Sequence, residues 1–393
     1  MMTQFKKTKL AAAVLAASVA APASAASWSA GDWEISYGGT INLFYNQLDR
    51  SEIASGNSAH LNEGLLPAFH TMKATSPTVN GLTGTAQISF APDSSQSKVT
   101  GQNKDGESLD MREVFFNVDG SFGTISVGRT LALFQRGAIL NDMTLFGVGA
   151  SGGIDGGGTS LGRIAFGYTY AEFQTRFAWK SPDMSGLTLE VGVFDPNEGS
   201  GGNTATFQTD VPQLQMEANY STSFDGGSIA LWAGGVYQEM EGRNAGAFNT
   251  TGDVTTQAIN LGINANMGPM GFVASFYDGE ALGSVRVADT NSYHCTSTAC
   301  TEADADGYYV QGTYTMGGKT KIGLSYGESN QDQVRLAQTN DTQNASAARS
   351  NELVTIGVYH DVNSWLKVVA EYNDQSGQFG KITNYAVGGF IFW

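Results

Sequence analysis

Basic residues are scarce in this 393-residue chain: Lys and Arg number 21 against 37 Asp and Glu, a formal net charge of −16. A nucleic-acid face needs clustered Lys and Arg, so nucleic acid is excluded as a partner. Histidine is scarcer still, and His60, His70, His294 and His360 are scattered without metal-ligand spacing. The only cysteines are Cys295 and Cys300, two ligands short of a metal site. Beyond the N-terminal 25 residues no apolar run approaches the ~18 residues of a spanning helix. If the chain crosses a membrane, it does so as a β-barrel. Proline is rare, at 8 residues. What is abundant is glycine, 50 residues, with 41% hydrophobic and 11% aromatic residues, the composition of a glycine-rich β protein and not of a disordered chain.

The N-terminus reads as a targeting segment. Lys6, Lys7 and Lys9 precede an apolar run over 10–21, and Ala23-Ser24-Ala25 is a small-residue cleavage site. Residues 1–25 are therefore expected to be a secretory signal peptide, too short to span a bilayer and absent from the mature protein. Its removal takes the formal charge from −16 to −19. Residues 26–393 form the single remaining domain.

Hydrophobicity in that domain alternates with period two over barrel-length stretches. Ile35, Tyr37, Ile41, Leu43 and Tyr45 share one face, and Glu34, Ser36, Thr40, Asn42 and Asn46 the other. Ile259, Leu261 and Ile263 oppose Asn260, Asn264 and Asn266. Leu214, Met216, Ala218 and Tyr220 oppose Gln215, Glu217 and Asn219. A soluble sandwich buries its inner faces in one apolar core, whereas here the second face is Asn, Gln, Thr, Glu and Gly, which suits water in a lumen. Connections alternate too. Short ones fall at 76–81, 119–122, 182–186, 224–227, 267–270, 316–319 and 361–364, and long ones at 49–63, 92–110, 131–171, 195–212, 241–254, 280–306, 330–350 and 375–381. Seven short turns and eight long loops join sixteen strands, the pattern of a transmembrane antiparallel β-barrel of the all-β class.

One block is more specific. Residues 111–130 are two strands around the turn Asp119-Gly120-Ser121-Phe122, ending on Gly128-Arg129. They run into 131–162, which lacks alternation and ends in Gly152-Gly153-Ile154-Asp155-Gly156-Gly157-Gly158. Loops beyond ~15 residues in a compact structure are usually functional or disordered. The Arg112-Glu113 strand, the Gly-Phe-Gly turn, the Gly128-Arg129 strand end and this loop together resemble the Gram-negative general porins. The closing stretch 385–393, with Tyr385, Val387, Ile391 and terminal Trp393 on one face, is similar to the last strand of outer-membrane proteins. The resemblance implies a trimeric barrel in the outer membrane, among lipid and lipopolysaccharide, whose third loop folds inward and sets acids against basic side chains on the wall. It also implies passage of small hydrophilic solutes, with no cofactor and no catalysis.

Alternation turns Lys73, Arg176, Lys180, Glu190, Glu217, Lys321, Lys367 and Glu371 inward, since a charge on the lipid face costs about 2–4 kcal/mol at mid-bilayer. The candidate constriction is Asp142 and Asp155 on the loop, with Arg136 beside them, facing Lys73, Arg129, Arg176 and Lys180. Strict alternation places Arg112 and Arg129 on the lipid side, beside Val114, Phe116, Ile125 and Val127, although both lie near strand ends where a bulge can re-aim a side chain. The resemblance puts basic residues of this region in the constriction. Apolar Leu131, Leu133, Phe134, Ile139, Leu140, Leu145 and Phe146 suit a segment packed against the barrel interior. Cys295 and Cys300 sit in the acidic loop 280–306, expected to be external, where export favours a disulfide that stiffens the loop. Gly152 to Gly158 lacks the strand–helix context of a phosphate cradle. Two other readings stay open: a channel specific for a sugar or an anion, and an outer-membrane barrel enzyme. A charge of −19 leads to an expectation of weak cation preference, which a basic wall would reverse.

Overall fold

In the stretch that opens the barrel, every second side chain is driven to the same side by one requirement: apolar groups leave the watery interior and polar groups enter it. Ile41, Leu43 and Tyr45 are exposed on the outer face while Asn42, Phe44 and Asn46 between them are buried. The same inversion recurs with Ile259 and Leu261 around Asn260, and with Tyr385 and Val387 around Ala386. The computed structural model describes residues 25–50, 56–92, 109–152, 154, 158–196, 207–242, 244–245, 248–249, 252–283, 285–289, 292–295, 298–333, 348–378 and 380–393.

Sixteen strands close one antiparallel barrel. They are β1 Trp33–Asp49; β2, in two pieces, Ser58–Asn62 and Phe69–Thr75; β3 Thr83–Pro92; β4 Leu109–Gly120; β5 Gly123–Leu131; β6 Phe173–Lys180; β7 Leu187–Phe194; β8 Gln213–Phe224; β9 Gly227–Gly242; β10 Val254–Met267; β11 Met270–Glu280; β12 Asp304–Met316; β13 Thr320–Gln331; β14 Arg349–Asp361; β15 Leu366–Ser376; and β16 Ile382–Phe392. Each pairs with its sequence neighbours, and β16 returns to β1, with Thr40 opposite Phe392 and Asp49 opposite Thr383. A further strand, Ala26–Ala30, pairs with Trp33–Tyr37 and takes over the edge of β1 where β16 ends. Backbone bonds between Gly39 and Trp393, 2.9 and 3.1 Å, complete the seam. Gly39 is required there, because a Cβ would lie 2.4 Å from the Phe69 carbonyl oxygen and 2.6 Å from the Trp393 ring.

The seven short connections lie where the sequence places them. The long ones differ in places, a two-residue strand at Phe207–Gln208 pairing with Glu241–Gly242 inside the expected 195–212 connection. The first was expected to run over 49–63, but Ser58–Asn62 pairs with Phe44–Leu48 and is already strand. The excursion is instead 63–68, between the two pieces of β2, with Leu65 and Leu66 buried. The 280–306 connection is not wholly external. Ala281, Leu282, Val287 and Ala288 are buried against inward Val236, Met240 and Tyr277 and against Phe134 of the long segment. Its acids hid an apolar half. The rest carries a small hairpin, Tyr293–Cys295 against Cys300–Glu302, bridged between Cys295 and Cys300 and packed against the same cluster. Among the described residues no helix is long and apolar enough to cross a membrane, as a barrel would require none.

Candidate pore constriction

The segment 132–172, between β5 and β6, has little regular structure of its own: helix α1 over Arg136–Asn141, started by Gln135 in the left-handed region, and a 3₁₀ turn over Met143–Phe146. Its backbone groups therefore need partners elsewhere. Inward side chains of the wall supply them. Gln215 Oε1 on β8 accepts from the amides of Leu133 and Phe134, both at 2.8 Å. Gln311 Oε1 on β12 accepts from Met143 at 2.7 Å, and Tyr309 donates to the Ala138 carbonyl at 2.8 Å. Glu371 Oε2 on β15 accepts from Val148 and Gly149 at 2.9 and 2.8 Å, and Gln375 accepts from Ser151 at 2.7 Å. The anchors thus extend from β8 to β15.

Apolar contacts follow the same path. Ala138, Ile139, Ile164 and Tyr168 pack with Trp232 and Tyr309, and Met143, Val148 and Ile154 with Phe44, Tyr359 and Phe390. Gly137 admits the close approach of α1 to the wall, since a Cβ there would sit 2.4 Å from the Trp232 indole.

The charges meet in a different arrangement from the expected one. Arg136, at the start of α1, donates through Nε to Glu217 at 3.0 Å and through Nη2 to Glu190 at 2.7 Å, with a further short contact from Nη2 to Glu217. Arg176 on β6 reaches Glu190 Oε1 at 3.3 Å, Ser126 and the Leu131 carbonyl. Here the cation is on the segment and the acids are on the wall. Burial works against the Arg136 charge, but the two carboxylates hold its guanidinium above the ordinary range.

Asp142 does not face a basic wall. Its carboxylate is buried within the segment, accepting from the Thr144 amide at 2.9 Å and Tyr168 at 2.8 Å, with Arg163 Nε of the same segment 3.9 Å away. A side chain that caps its own 3₁₀ turn and receives a tyrosine spends its contacts inside the segment and not on the wall. Asp155 lies outside the described residues. Arg129 is exposed on the outer face, opposite Val114 and Thr175, so strict alternation holds there and its side chain stays on the lipid parity. Arg112 goes the other way. The β3–β4 register skips it, Ser89 facing Glu113 and Phe90 facing Met111, and this bulge brings it to Tyr170 of the segment at 3.2 Å.

Lys73 and Lys180 point inward but sit near the short turns, away from Asp142. Lys321 and Lys367 join them at that end, along with Glu34, Asp119 and Asp361, the last bonded to Lys367 at 2.5 Å. At the long-loop end the acids face outward: Asp278 directly opposes Asp306, Glu280 opposes Asp304, and Glu328 opposes Glu352. The roles of Glu190, Glu217, Glu371, Gln215 and Gln311 as partners of the segment were missed. Alternation turns them inward, but nothing in the sequence says what they meet.

A closed sixteen-stranded barrel with an apolar outer belt and charged, hydrogen-bonding inner wall is an outer-membrane channel for passive diffusion. The chain belongs to the Gram-negative porin family, whose model matches residues 11–378. No curated protein matches it. It is similar in fold to the outer membrane channel DcaP of Acinetobacter baumannii, with a TM-score of 0.69 and 12% identity over 93% of this chain and 99% of that one. The anion-selective porin from Comamonas acidovorans superposes with a TM-score of 0.62 at 12% identity over 92% and 100%. OmpF of Salmonella typhi, in complex with daunomycin, gives 0.61 at 14% over 94% and 100%.

Proposed function

We propose that the chain passes small hydrophilic solutes and ions with a preference for anions, without cofactor and without chemistry on the solute, through a passage narrowed by the 132–172 segment. The observation that carries this reading is the row of wall acceptors, Gln215, Gln311, Glu371 and Gln375, each holding backbone amides of that segment. Anion preference rests on Lys73, Lys180, Lys321 and Lys367, which outnumber Glu34, Asp119 and Asp361 at the short-turn end of the lumen. A residue set for the narrowing follows: Arg136, Arg176, Glu190 and Glu217, with Arg112 behind the segment. Exposed apolar side chains around the β1–β16 seam, such as Tyr385, Val387 and Ile391, support burial between copies in a homotrimer, and the 1–25 segment supports export. OmpT of Vibrio cholerae, similar in fold, was solved in a trimer form. Deletion of 141–158 removes the middle of the segment and should raise single-channel conductance several-fold in a folded barrel. Unchanged conductance would place the segment outside the solute path.

A further inference from the structure

The first limb of the 280–306 connection, over 281–289, lies in the long-loop mouth of the lumen. It leaves the wall at Glu280, the end of β11, and by Val285 it has reached the 132–172 segment, where the Val285 carbonyl accepts from the Tyr170 amide at 2.8 Å. Next to it Arg286 pairs with Glu172 at 3.7 Å. Glu172 immediately precedes β6, and its carbonyl accepts from Ala132 at 2.8 Å, at the other end of the segment. Strands β7 to β10 lie between β6 and β11 around the wall, so a limb that meets both crosses the opening as a chord. It does not follow the rim.

The wall beneath is fitted to the limb. Toward the long-loop end of β9 to β12 the inward side chains include Val236, Met240, Val254, Ala258, Tyr277 and Ala305, where a water-filled mouth calls for polar ones. They are buried under Ala281, Leu282, Val287 and Ala288. Ala281 and Ala288 are both left-handed, with φ of 52° and 55°, a region that residues with a side chain enter only where their surroundings hold them. The Ala288 amide donates to the Ala281 carbonyl at 3.0 Å and closes the limb on itself, while Thr256 of the inner wall donates to the same carbonyl at 3.3 Å. Beyond the limb, the bridged hairpin packs on the same cluster, and Glu302 accepts from the Thr255 amide of β10 at 3.0 Å. A loop free in solvent needs neither an apolar seat nor a bond to the segment. This one has both.

We propose that 281–289 is a strap across the long-loop mouth and sets, ahead of the 132–172 segment, the largest solute that enters from that side. The proposal rests on the channel reading and adds a second size filter to it. The test uses the full mature chain in planar bilayers in potassium chloride, with polyethylene glycols of graded size added to one side at a time; polymers that enter lower the current, and those that are excluded do not. Because the Ala281 carbonyl already meets the Ala288 amide, 282–287 can be excised and the ends joined through one glycine with the hairpin left in place. In the excised chain the largest polymer that enters should grow by roughly 5 Å in diameter, about the width of one extended chain, from one side only. Leu282→Glu with Val287→Glu keeps the chain length but puts two carboxylates into the apolar seat, and should produce the same one-sided shift. Both variants are read in barrels that keep the heat-modifiable gel mobility of the wild type. Polymer limits unchanged on both sides in either folded variant overturn the strap and leave the channel reading standing. Absence of any current from the wild-type chain overturns both.

Discussion

Two bands of charge run around this barrel, and one alternation rule produces both. Near the short turns, Lys73, Lys180, Lys321 and Lys367 point into the lumen, while near the long loops, Asp278, Glu280, Asp304, Asp306, Glu328 and Glu352 point outward. A chain with net charge −16 thus carries much of its acid on the outer face near the long loops, while its inward lysines are gathered near the short turns. The bands are separated by roughly ten residues of strand, about 30 Å. At physiological salt the screening length is about 8 Å, so the outer acids have little voice in the lumen. Net charge is a poor guide to ion preference in a barrel; which face each charge is on, and at what height, decides it.

The widest break in that comparison would come from the lysines. Replacing Lys73, Lys180, Lys321 and Lys367 together with Gln leaves the acids Glu34, Asp119 and Asp361 at that end, and the zero-current potential across a salt gradient should change sign toward cations. A smaller effect is expected at mid-height, where the acids are engaged by partners. Glu371→Ala leaves the amides of Val148 and Gly149 without acceptors, at about 1–3 kcal/mol for each buried group. Thermal unfolding in detergent should register the loss, and current traces should become noisier as the segment loosens. Glu217→Gln leaves Arg136 with Glu190 alone. The buried pair is weakened but not abolished, so about 2 kcal/mol is expected, below the 3–5 kcal/mol of a fully broken pair. The smallest effect belongs to the outer band. Asp278→Asn removes one of two like charges directly opposed across β11 and β12, which should stabilise the barrel by about 0.2–1 kcal/mol at low salt and leave ion preference where it was. A clear shift in preference would mean that the outer acids do reach the lumen.

The barrel itself was legible in the sequence, because alternation and connection length are local. Ile259, Leu261 and Ile263 against Asn260 and Asn264 need no distant partner to be read. The contacts of the 132–172 segment were legible only in part. Inward placement of Arg176, Glu190, Glu217 and Glu371 followed from parity, yet what they touch lies 45 to 223 residues away, as in Arg176 with Leu131 and Glu371 with Val148. Asp142 misled because an acid on a loop is as well satisfied by its own turn, Tyr168 and Arg163 as by an opposing wall. Arg112 and Arg129 gave the same signal, two arginines on the lipid parity near strand ends. Only the register shows that the bulge falls on one of them. In 280–306 five acids masked Ala281, Leu282, Val287 and Ala288, whose burial depends on Phe134 from another loop.

The central claim, that luminal lysines outweigh the acids of the outer band, is tested most directly by the zero-current potential of the wild-type channel in a potassium chloride gradient at neutral pH. The account predicts the sign of chloride preference, persisting as total salt is raised with the gradient ratio held. A potential of the opposite sign, with potassium favoured, would contradict it.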